Sequence, residues 1–490
     1  MSIFSLTLPA GMQESQKKLV AAQAYLAGSD GFPVPTQRDF NDPLVCLRHQ
    51  GEDTIHVATP WLVQQHGLMT TSTTTLMCRE SSYRLLKELA RGKVNQVRCQ
   101  TAEWENRGLV LGESVKLANR QAGLAMGKVI GLGFDSPDID HFASKALTAG
   151  FDAARELIRC YCGQLLPIKK KDVTIPPTVL AFYMRGRLPD PIQEQALLES
   201  FNGVQIAIPW REIEKFPGRF DWKKLDNMLA WAKERGLRIG IGPIIDLNKE
   251  DLPEWFLPLT TSINKAAGAV FRFVDQVIER VRGRVDNISA IQAGNFTDQQ
   301  VGDLDETEWL RLTFNTCQKV RQILPEVSLG VGVVQPWGEL LAHEHRDHNP
   351  FLFAEALSRS LDGLGSIDIE LALGYGGRGS GYRDLLELAR LLEQLSSLGC
   401  PIKLDIAPPP AFFFGTSNSA HSPYLKQDWC NDFFALAFAC PMVTEVRWLE
   451  TFENERTLFP GAGLFDKAGM TSECATILSR LTALRSKSQF

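Results

Sequence analysis

The feature that most constrains the fold is a series of eight short apolar segments that alternate with helical segments from residue 178 onward. The apolar segments lie at 179–184, 204–210, 238–246, 288–296, 327–335, 366–373, 402–407 and 445–452. Nearly continuous hydrophobic strands are typical of a parallel sheet that is covered on both faces. Eight such units predict a closed (β/α)8 TIM barrel. An open doubly wound sheet is the alternative, but no glycine-rich dinucleotide loop follows the first strand.

The residues before the barrel have a different pattern. Residues 1–80 contain short β-branched segments separated by Gly, Pro and Asp, which predicts a β-rich region with a β-sandwich as one interpretation. Residues 81–167 have helical periodicity, with helices expected near 113–130 and 138–164. The lysines at 169–171 are interpreted as a solvated linker to a barrel domain at 178–490.

Composition excludes several classes of protein. Of 490 residues, 44% are hydrophobic and 22% are charged, which are ordinary values for a globular chain. The net charge of −5 includes no basic stripe, so a nucleic-acid surface is not expected. We find no signal-peptide pattern and no apolar run long enough to span a membrane, so we expect a cytoplasmic protein without a membrane partner.

Ordered motifs in the barrel segment carry a family resemblance. They are the segment 201–210, the run Ile-Glu-Lys-Phe-Pro-Gly-Arg-Phe-Asp-Trp at 213–222, Asp-Leu-Pro-Glu-Trp at 251–255, Leu-Asp-Gly-Leu-Gly at 361–365, Trp448, and Gly-Leu-Phe-Asp-Lys-Ala-Gly at 463–469. Together they resemble glycoside hydrolase family 10, the endo-β-1,4-xylanases. The resemblance covers about 178–485 and implies a TIM barrel that acts on a β-linked poly- or oligosaccharide of the xylan type. Residues 1–165 have no counterpart in the family's barrel, and both a carbohydrate-binding sandwich and a docking or oligomerisation layer remain open.

The two catalytic glutamates of that family are absent from the matching positions. Retaining glycosidases need two carboxylates about 5–5.5 Å apart, and in this family they follow the fourth and seventh strands. The fourth-strand pattern ends in Asn-Glu, whereas this chain has Asn295-Phe296. The seventh-strand pattern is Thr-Glu-Leu-Asp, whereas residues 401–406 are Pro-Ile-Lys-Leu-Asp-Ile. The resemblance therefore does not transfer the family's own chemistry.

Two other carboxylates near strand ends are candidates for an acid/base and nucleophile pair. Glu339 follows the turn Gln-Pro-Trp-Gly after the fifth strand, and Glu370 lies on the sixth. By strand alternation, Glu370 is expected to face Lys403 and Asp405 inside the barrel. The alternative for this group is an ion-pair network that stabilises the barrel, since an unpartnered buried charge is destabilising.

Further residues near strand ends are candidates for substrate binding, because sugars stack on aromatic rings and hydrogen-bond to polar groups. They are Trp210, Trp337, Trp448, Asn295, Asp405 and Arg378, with Trp255 and the phenylalanines at 412–414 as weaker aromatic candidates. Ordinary packing is the alternative for the rings. Arg378 lies in the glycine-rich loop 374–381, near Arg383.

No metal or other cofactor is expected. His343, His345 and His348 are the only clustered histidines, and no pair of them has the i,i+4 spacing of a helical zinc site. A polar solvated loop is the preferred interpretation of this segment. The ten cysteines include no Cys-x2-Cys pair.

The function preferred from the sequence is a divergent glycoside hydrolase that acts on a β-linked poly- or oligosaccharide and whose carboxylates have moved. The alternative is a catalytically inactive barrel that binds glycans or serves as an interaction scaffold. The fold alone does not choose between them, because TIM barrels support many unrelated chemistries.

Overall fold

The computed structural model describes residues 2–51, 54–133, 136–296, 301–302, 304–410, 422–454 and 457–472, with the side chains of 422–427 excepted. Every structural statement below refers to these residues.

The N-terminal part forms two small sheets. Its strands are β1 (Ser2–Thr7), β2 (Tyr25–Ala27), β3 (Pro33–Val34), β4 (Gln37–Asn41), β5 (Leu44–His49), β6 (Thr54–Val63), β7 (Gly67–Ser72), β8 (Leu76–Met77) and β9 (Tyr83–Arg84), and helix α1 (Glu14–Gln23) follows β1. One sheet has the order β4-β5-β1-β9 and the other β3-β2-β6-β7, with β8 paired to β6. The pairing is antiparallel except between β1 and β9.

Three long helices follow these sheets along the chain and precede the barrel. They are α2 (Leu85–Asn106), α3 (Glu113–Gly131) and α4 (Ile139–Lys171). The lysines at 169–171 belong to the last turn of α4, so the predicted solvated linker is wrong for Lys169. Its ammonium is buried and donates to the carbonyl of Cys440 at 2.8 Å and to the hydroxyl of Thr178 at 3.0 Å. Burial lowers the pKa of Lys169 to about 8.

Eight parallel strands close the predicted barrel. In order around the barrel they are β10 (Val179–Met184), β11 (Gly203–Ile206), β12 (Arg238–Ile241), β14 (Asn287–Ser289), β16 (Ser328–Val333), β17 (Ser366–Ala372), β18 (Ile402–Ala407) and β19 (Val443–Trp448). The fold class predicted from the alternating pattern, a TIM barrel after a smaller β-rich and helical region, is confirmed.

Helices surround the barrel between successive strands. They are α5 (Pro191–Ser200), α6 (Trp210–Ile213), α7 (Lys223–Glu234), α8 (Ile263–Val281), α9 (Glu306–Ile323), α10 (Pro350–Ser360), α11 (Leu385–Ser396) and α12 (Ser422–Ala439), with 3-10 turns at Leu257–Thr261 and Glu339–Ala342. Asp190 and Asp305 begin α5 and α9 as capping boxes, in which each carboxylate accepts backbone N–H groups of the first turn.

Two predicted strands are divided in the structure. The third segment forms β12 and a short strand β13 (Ile245–Asp246), separated at Pro243, which has no backbone N–H to donate to a ladder. The fourth forms β14 and β15 (Ile291–Gln292), and β13 pairs with β15 beyond the main barrel. This short extension places Asp246 and Gln292 at the carboxyl ends of the third and fourth strands.

The helical layer and the barrel are joined by polar contacts of differing burial. Lys93 on α2 is 3% exposed and pairs with Asp384 before α11. The indole N–H of Trp104 donates to Glu393 at 2.7 Å. Arg159 on α4 pairs with Asp432 on α12 at 3.0 Å. In the part of the chain that the structure describes, no helix has both the length and the apolar character needed to cross a membrane.

Candidate functional site

The carboxyl ends of the barrel strands, where TIM-barrel active sites are built, form the candidate site. The loop after β17 turns back over this end. The N–H of Gly374 donates to the carbonyl of Ser380 at 2.7 Å, and the N–H of Ser380 donates to the carbonyl of Ala372 at 2.8 Å. This closed turn carries Arg378 into the mouth of the barrel.

Arg378 connects two strand-end carboxylates. Its Nε donates to Glu370 Oε1 at 2.7 Å, and Nη2 contacts Glu370 Oε2. Its Nη1 lies 2.7 and 2.9 Å from the two oxygens of Asp246. Burial alone would lower the pKa of Arg378, but the charges of Asp246 and Glu370 raise it well above its usual range. We call Arg378, Glu370 and Asp246 the mouth clamp.

Both oxygens of Glu370 are occupied within this clamp. Besides its two contacts with Arg378, Oε2 accepts a hydrogen bond from Gln292 Nε2 at 3.3 Å. The side chain of Glu370 is 2% exposed and that of Asp246 is 9% exposed. The clamp is therefore a nearly dry ion-pair cluster in which the carboxylates have assigned partners.

A second ion-pair cluster lies deeper in the barrel. Arg447 on β19 is fully buried and contacts Asp405 Oδ1 and Oδ2 at 2.6 and 2.9 Å. It also contacts Asp368 Oδ2 at 2.9 Å. The sequence left an ion-pair network of Glu370, Lys403 and Asp405 as the alternative interpretation. In the structure Asp405 pairs with Arg447, whereas Glu370 pairs with Arg378 in the separate mouth clamp. Lys403 instead donates to Asn287 at 2.9 Å and lies 3.7 Å from Glu445.

The two buried aspartates of this cluster have opposite pKa shifts. Burial acts to raise the pKa of Asp368, but the charges of Arg447 and Lys403 and hydrogen bonds from Ser289 and Ser366 lower it overall. Burial raises the pKa of Asp405 to about 7 against the pull of Arg447, and the neighbouring charge of Asp368 adds to the rise. Asp405, predicted to bind substrate, is 1% exposed, with both oxygens on Arg447.

A third group at the mouth lies outside the acid/base and nucleophile pair that the sequence predicted, although Glu450 stands at the end of the eighth strand in the sequence. Glu450, which follows β19, is 4% exposed and accepts the backbone N–H groups of Leu458 and Phe459 at 3.0 and 3.2 Å. Burial raises its pKa to about 7 although Arg185 opposes the rise. Burial and the charge of Asp246 raise the pKa of Asp251 to about 6, again against Arg185. The sequence feature that indicates this group is Arg185, which directly follows the first strand and whose charge acts on both Glu450 and Asp251.

An apolar cluster covers another sector of the mouth. It contains Tyr183, Ala207, Ala372, Ala407, Leu449, Phe459 and Ala462, with Leu458 and Tyr375 packed against it. The rings of Tyr375 and Phe459 are 5.1 Å apart, and the Tyr375 hydroxyl donates to the carbonyl of Pro408 at 3.1 Å. These side chains fill the ends of the first, second, sixth, seventh and eighth strands.

Glu339 lies apart from this arrangement. Arg383 Nη1 contacts its Oε1 at 2.6 Å, and the N–H of Gly381 donates to the same oxygen at 3.1 Å. The other terminal nitrogen of Arg383 donates to the hydroxyl of Tyr25 in the N-terminal sheet at 2.6 Å. Glu339 and Glu370 therefore have different arginine partners, and Glu339 belongs to the contact between the barrel and the N-terminal sheet.

Two of the three tryptophans proposed for sugar stacking are buried. Trp210 is 1% exposed, stacks on Phe273 at 4.8 Å and donates to Glu214 at 2.7 Å. Trp448 is 1% exposed and donates to the carbonyl of Ala462 at 2.9 Å. Trp337 is half-buried, with the guanidinium of Arg383 4.8 Å from its ring centre. Trp337 is thus the one of the three with a partly accessible ring.

The segment that replaces the family's fourth-strand motif has a structural contact of its own. The amide of Asn295 donates to the carbonyl of Val334 at 2.7 Å and accepts the N–H of Val334 at 3.1 Å. Asn295 thereby joins the ends of the fourth and fifth strands, and the ring of Phe296 is partly buried against the core beside it.

The remaining candidates lie in loops. The phenylalanines at 412–414 fall outside the described residues. Trp255 is partly buried and donates to the carbonyl of Glu214 at 2.9 Å. His343 lies 3.5 Å from Arg38, and His348 lies 3.0 Å from Glu306. Within the described residues, no group of three or more His, Cys, Asp or Glu side chains is placed to hold a metal ion.

Comparison with known proteins gives similarity only among solved structures, because no protein-family model and no curated protein matches this chain. Xylanase 10B from Thermotoga maritima has 13% identity and a TM-score of 0.48, covering 66% of this chain and 98% of the xylanase. A thermostable mutant of xylanase Xyn10A from Cellvibrio japonicus has 10% identity and a TM-score of 0.49, covering 63% of this chain and 99% of that one. An intracellular xylanase from Thermoanaerobacterium saccharolyticum, in complex with xylotetraose, has 13% identity and a TM-score of 0.47, covering 64% and 97%. We assign no role to any residue from these similarities.

Proposed function

We propose that this chain is a divergent xylanase-like barrel that binds a β-linked oligosaccharide without hydrolysing it. The observation that carries the proposal is the mouth clamp, in which Arg378 contacts both oxygens of Glu370 and both oxygens of Asp246. A catalytic carboxylate needs an oxygen that is free to attack the sugar or to exchange a proton with it. The clamp leaves Glu370 without such an oxygen.

The sequence at the family's catalytic positions supports the same conclusion. Phe296 replaces the glutamate after the fourth strand, and a phenyl ring cannot transfer a proton. After the seventh strand the available carboxylate is Asp405, which is buried against Arg447. We therefore propose that both catalytic glutamates of the family are absent and that no matching pair replaces them.

Glycan binding at the mouth is supported by the type of groups found there. Asp246 and Arg378, both only partly buried, carry polar groups of the kind that hydrogen-bond to sugar hydroxyls, and the half-buried ring of Trp337 belongs to the adjoining turn. We retain Trp337, Arg378 and Asn295 as proposed binding residues, because they are only partly buried. We do not retain Trp210, Trp448 and Asp405, because each is 1% exposed and cannot be reached by a ligand.

Calorimetric titration with xylo-, gluco- and manno-oligosaccharides tests the binding. We expect saturable binding of at least one β-linked series and a loss of about tenfold in affinity for Trp337→Ala, equivalent to about 1.4 kcal/mol. The absence of saturable binding across all the series would contradict the proposed ligand class.

One observation favours hydrolysis as a second candidate function. Glu450 has a pKa raised to about 7 by burial, and a general acid that works near neutral pH needs a raised pKa of this kind. If the barrel is a hydrolase, glycan cleavage by the wild-type chain should be lost in Glu450→Gln, which keeps the shape and removes the proton. Cleavage that survives this substitution excludes Glu450 as the acid.

A further inference from the structure

We propose that this chain forms a two-fold symmetric dimer in which the exposed face of α3 packs antiparallel against α3 of a second copy. The inference is independent of the proposed function. It rests on the side chains that α3 presents to solvent and on their order along the helix.

One face of α3 is buried and the opposite face carries large apolar side chains. Val115, Ala118, Ala122, Met126 and Val129 are buried against the protein. On the opposite face, Leu117 is 57% exposed and Leu124 is 60% exposed. These two leucines are seven positions apart, so they lie on one stripe of the helix. Exposure of these two leucines to water is unfavourable, whereas a partner helix would bury both side chains.

The exposed stripe has opposite charges at its two ends. Glu113 lies in the first turn and Lys128 in the last, and both are exposed on the same stripe as the leucines. Glu113 contacts Lys116 at 2.8 Å, but its side chain is 90% exposed, and such surface pairs contribute little to stability. Glu113 can therefore change partner at little free-energy cost.

The charges select an antiparallel arrangement with a second copy of the same helix. If the two-fold axis passes between Arg120 and Gln121, then Leu117 faces Leu124 of the second copy and Glu113 faces Lys128 of the second copy. At the axis, the guanidinium of Arg120 faces the amide of Gln121 of the second copy, which accepts hydrogen bonds. A parallel pair would instead place Glu113 beside Glu113 and Lys128 beside Lys128.

A second helix could approach the backbone of α3 closely along this face. Gly127 and Gly131 lie on the same side of α3, and a Cβ built on either glycine would meet no atom within 4 Å. Glycine inside an exposed helix costs about 1 kcal/mol relative to alanine. A closely packed second helix would use the space that these glycines leave.

Sedimentation equilibrium of the full chain tests the dimer. The mass of the wild-type chain should rise from 54.6 kDa toward twice that value as the concentration increases. Glu113→Lys and Lys128→Glu should each weaken association about tenfold or more, because each places like charges opposite one another. Leu117→Glu should abolish association. Ile130→Glu, on a different side of the same helix, is the matched control and should leave association unchanged.

The single charge variants also test the orientation of the helices, because a parallel pair already has like charges facing in the wild-type chain, so that Glu113→Lys or Lys128→Glu alone would not weaken it. Mixing the two variants tests the charge pairing itself, since it brings opposite charges together in either orientation. An equimolar mixture of the Glu113→Lys and Lys128→Glu chains should recover a heterodimer, because every facing pair is then of opposite charge. The Glu113→Lys/Lys128→Glu double variant should recover the homodimer. A wild-type chain that stays monomeric at all concentrations, or a dimer that Leu117→Glu leaves intact, overturns the proposal. Single charge variants that associate as the wild type does overturn the antiparallel arrangement, and a mixture that fails to associate overturns the charge pairing.

Discussion

At the scale of single residues, the guanidinium of Arg378 determines the chemistry of the barrel mouth. It contacts Glu370 and Asp246, which lie on different strands, and it is held there by a closed turn. A buried cation between two carboxylates neutralises charges that would otherwise destabilise the barrel. The same contacts occupy the oxygens that a glycosidase would need. The contacts that stabilise the mouth are therefore the same contacts on which the proposed lack of hydrolysis rests.

Removing that cation should destabilise the chain strongly. We expect Arg378→Met, which keeps an unbranched apolar stem and removes the guanidinium, to lower the free energy of unfolding by about 3–5 kcal/mol, because it leaves two buried carboxylates without a cationic partner. Urea denaturation measures the change. Arg359→Met is the matched control, because that arginine is 79% exposed and pairs with Glu355 on its own helix. The control should change stability by less than about 0.5 kcal/mol. A loss below about 1 kcal/mol for Arg378→Met would mean that the clamp is not a buried ion pair.

Glu450 should make stability depend on pH in a predictable direction. Its pKa is about 7 in the folded chain, above the ordinary value near 4.3, so the folded chain keeps a proton that the unfolded chain releases. This contribution is fully present below about pH 4 and is lost as the pH rises to about 7. Glu450→Gln should therefore match the wild type near pH 4 and exceed it near pH 8 by about 2–4 kcal/mol. Denaturation at both pH values checks this, and a constant difference between the two chains would contradict it.

The sequence identified the acidic members of the buried clusters better than their cationic partners. Strand alternation puts Asp368 and Glu370 on one face of β17 and Lys403 and Asp405 on one face of β18, and the register of the two strands agrees with this. The same alternation in Glu-Val-Arg-Trp at 445–448 would have placed Arg447 inside the barrel. The position of the Arg378 side chain could not be predicted in this way. The glycines of its loop allow many backbone conformations, and the sequence does not show which hydrogen bonds fix one of them.

At the scale of elements, the loop after β17 depends on a close backbone turn at Gly379. A Cβ at this position would lie 2.6 Å from the carbonyl oxygen of Tyr375 and 2.9 Å from that of Ala372. These atoms are backbone and cannot rotate away. The carbonyl of Gly379 also accepts a hydrogen bond from Gln335 at 3.1 Å. The conformation of the loop that carries Arg378 therefore requires glycine at position 379.

A pair of alanine substitutions tests this loop. Gly379→Ala should lower the free energy of unfolding by about 1–3 kcal/mol, because the added methyl group displaces backbone. Gly376→Ala, three positions earlier, meets no atom within 4 Å and should be neutral or stabilising by up to about 1 kcal/mol. Urea denaturation of the two variants provides the comparison. Equal effects at both positions would show that the loop is not held as described.

The positions of the helices and strands could largely be predicted from the periodic pattern of hydrophobic residues. Two barrel strands, Val179–Met184 and Ile402–Ala407, have the predicted bounds. The split of the third strand follows from Pro243, whereas the burial of Lys169 depends on carbonyls that are distant in sequence. Local sequence patterns therefore predict a strand break at a proline, but they do not predict a contact between residues that are far apart in the chain.

At the scale of the whole molecule, the N-terminal part and the barrel share buried contacts and one apolar core. The sequence proposed separate units at 1–80, 81–167 and 178–490, and we keep this division as a proposal. Lys93–Asp384 and Arg383–Tyr25 cross between the N-terminal part and the barrel in buried positions. The sequence could not predict these contacts, because their partners are about three hundred residues apart.

Unfolding should therefore be cooperative across the chain. We expect a single urea transition, with the same midpoint by far-ultraviolet circular dichroism and by tryptophan fluorescence. The reason is that unfolding either part alone would leave buried charges of the other part without their partners. Lys93→Met should shift that single transition to lower urea. Two separated transitions would show that the parts unfold independently.

The central claim is that the barrel mouth does not hydrolyse glycosides. The most direct measurement is mass spectrometry of a broad panel of β- and α-linked glycans after prolonged incubation with the purified wild-type chain at a concentration comparable to that of the glycan. The account predicts that every glycan keeps its chain length, because the carboxylates of the mouth clamp are bound to arginine. New, shorter oligosaccharides that disappear with Glu370→Gln or Glu450→Gln would contradict it and would establish a hydrolase with relocated catalytic residues.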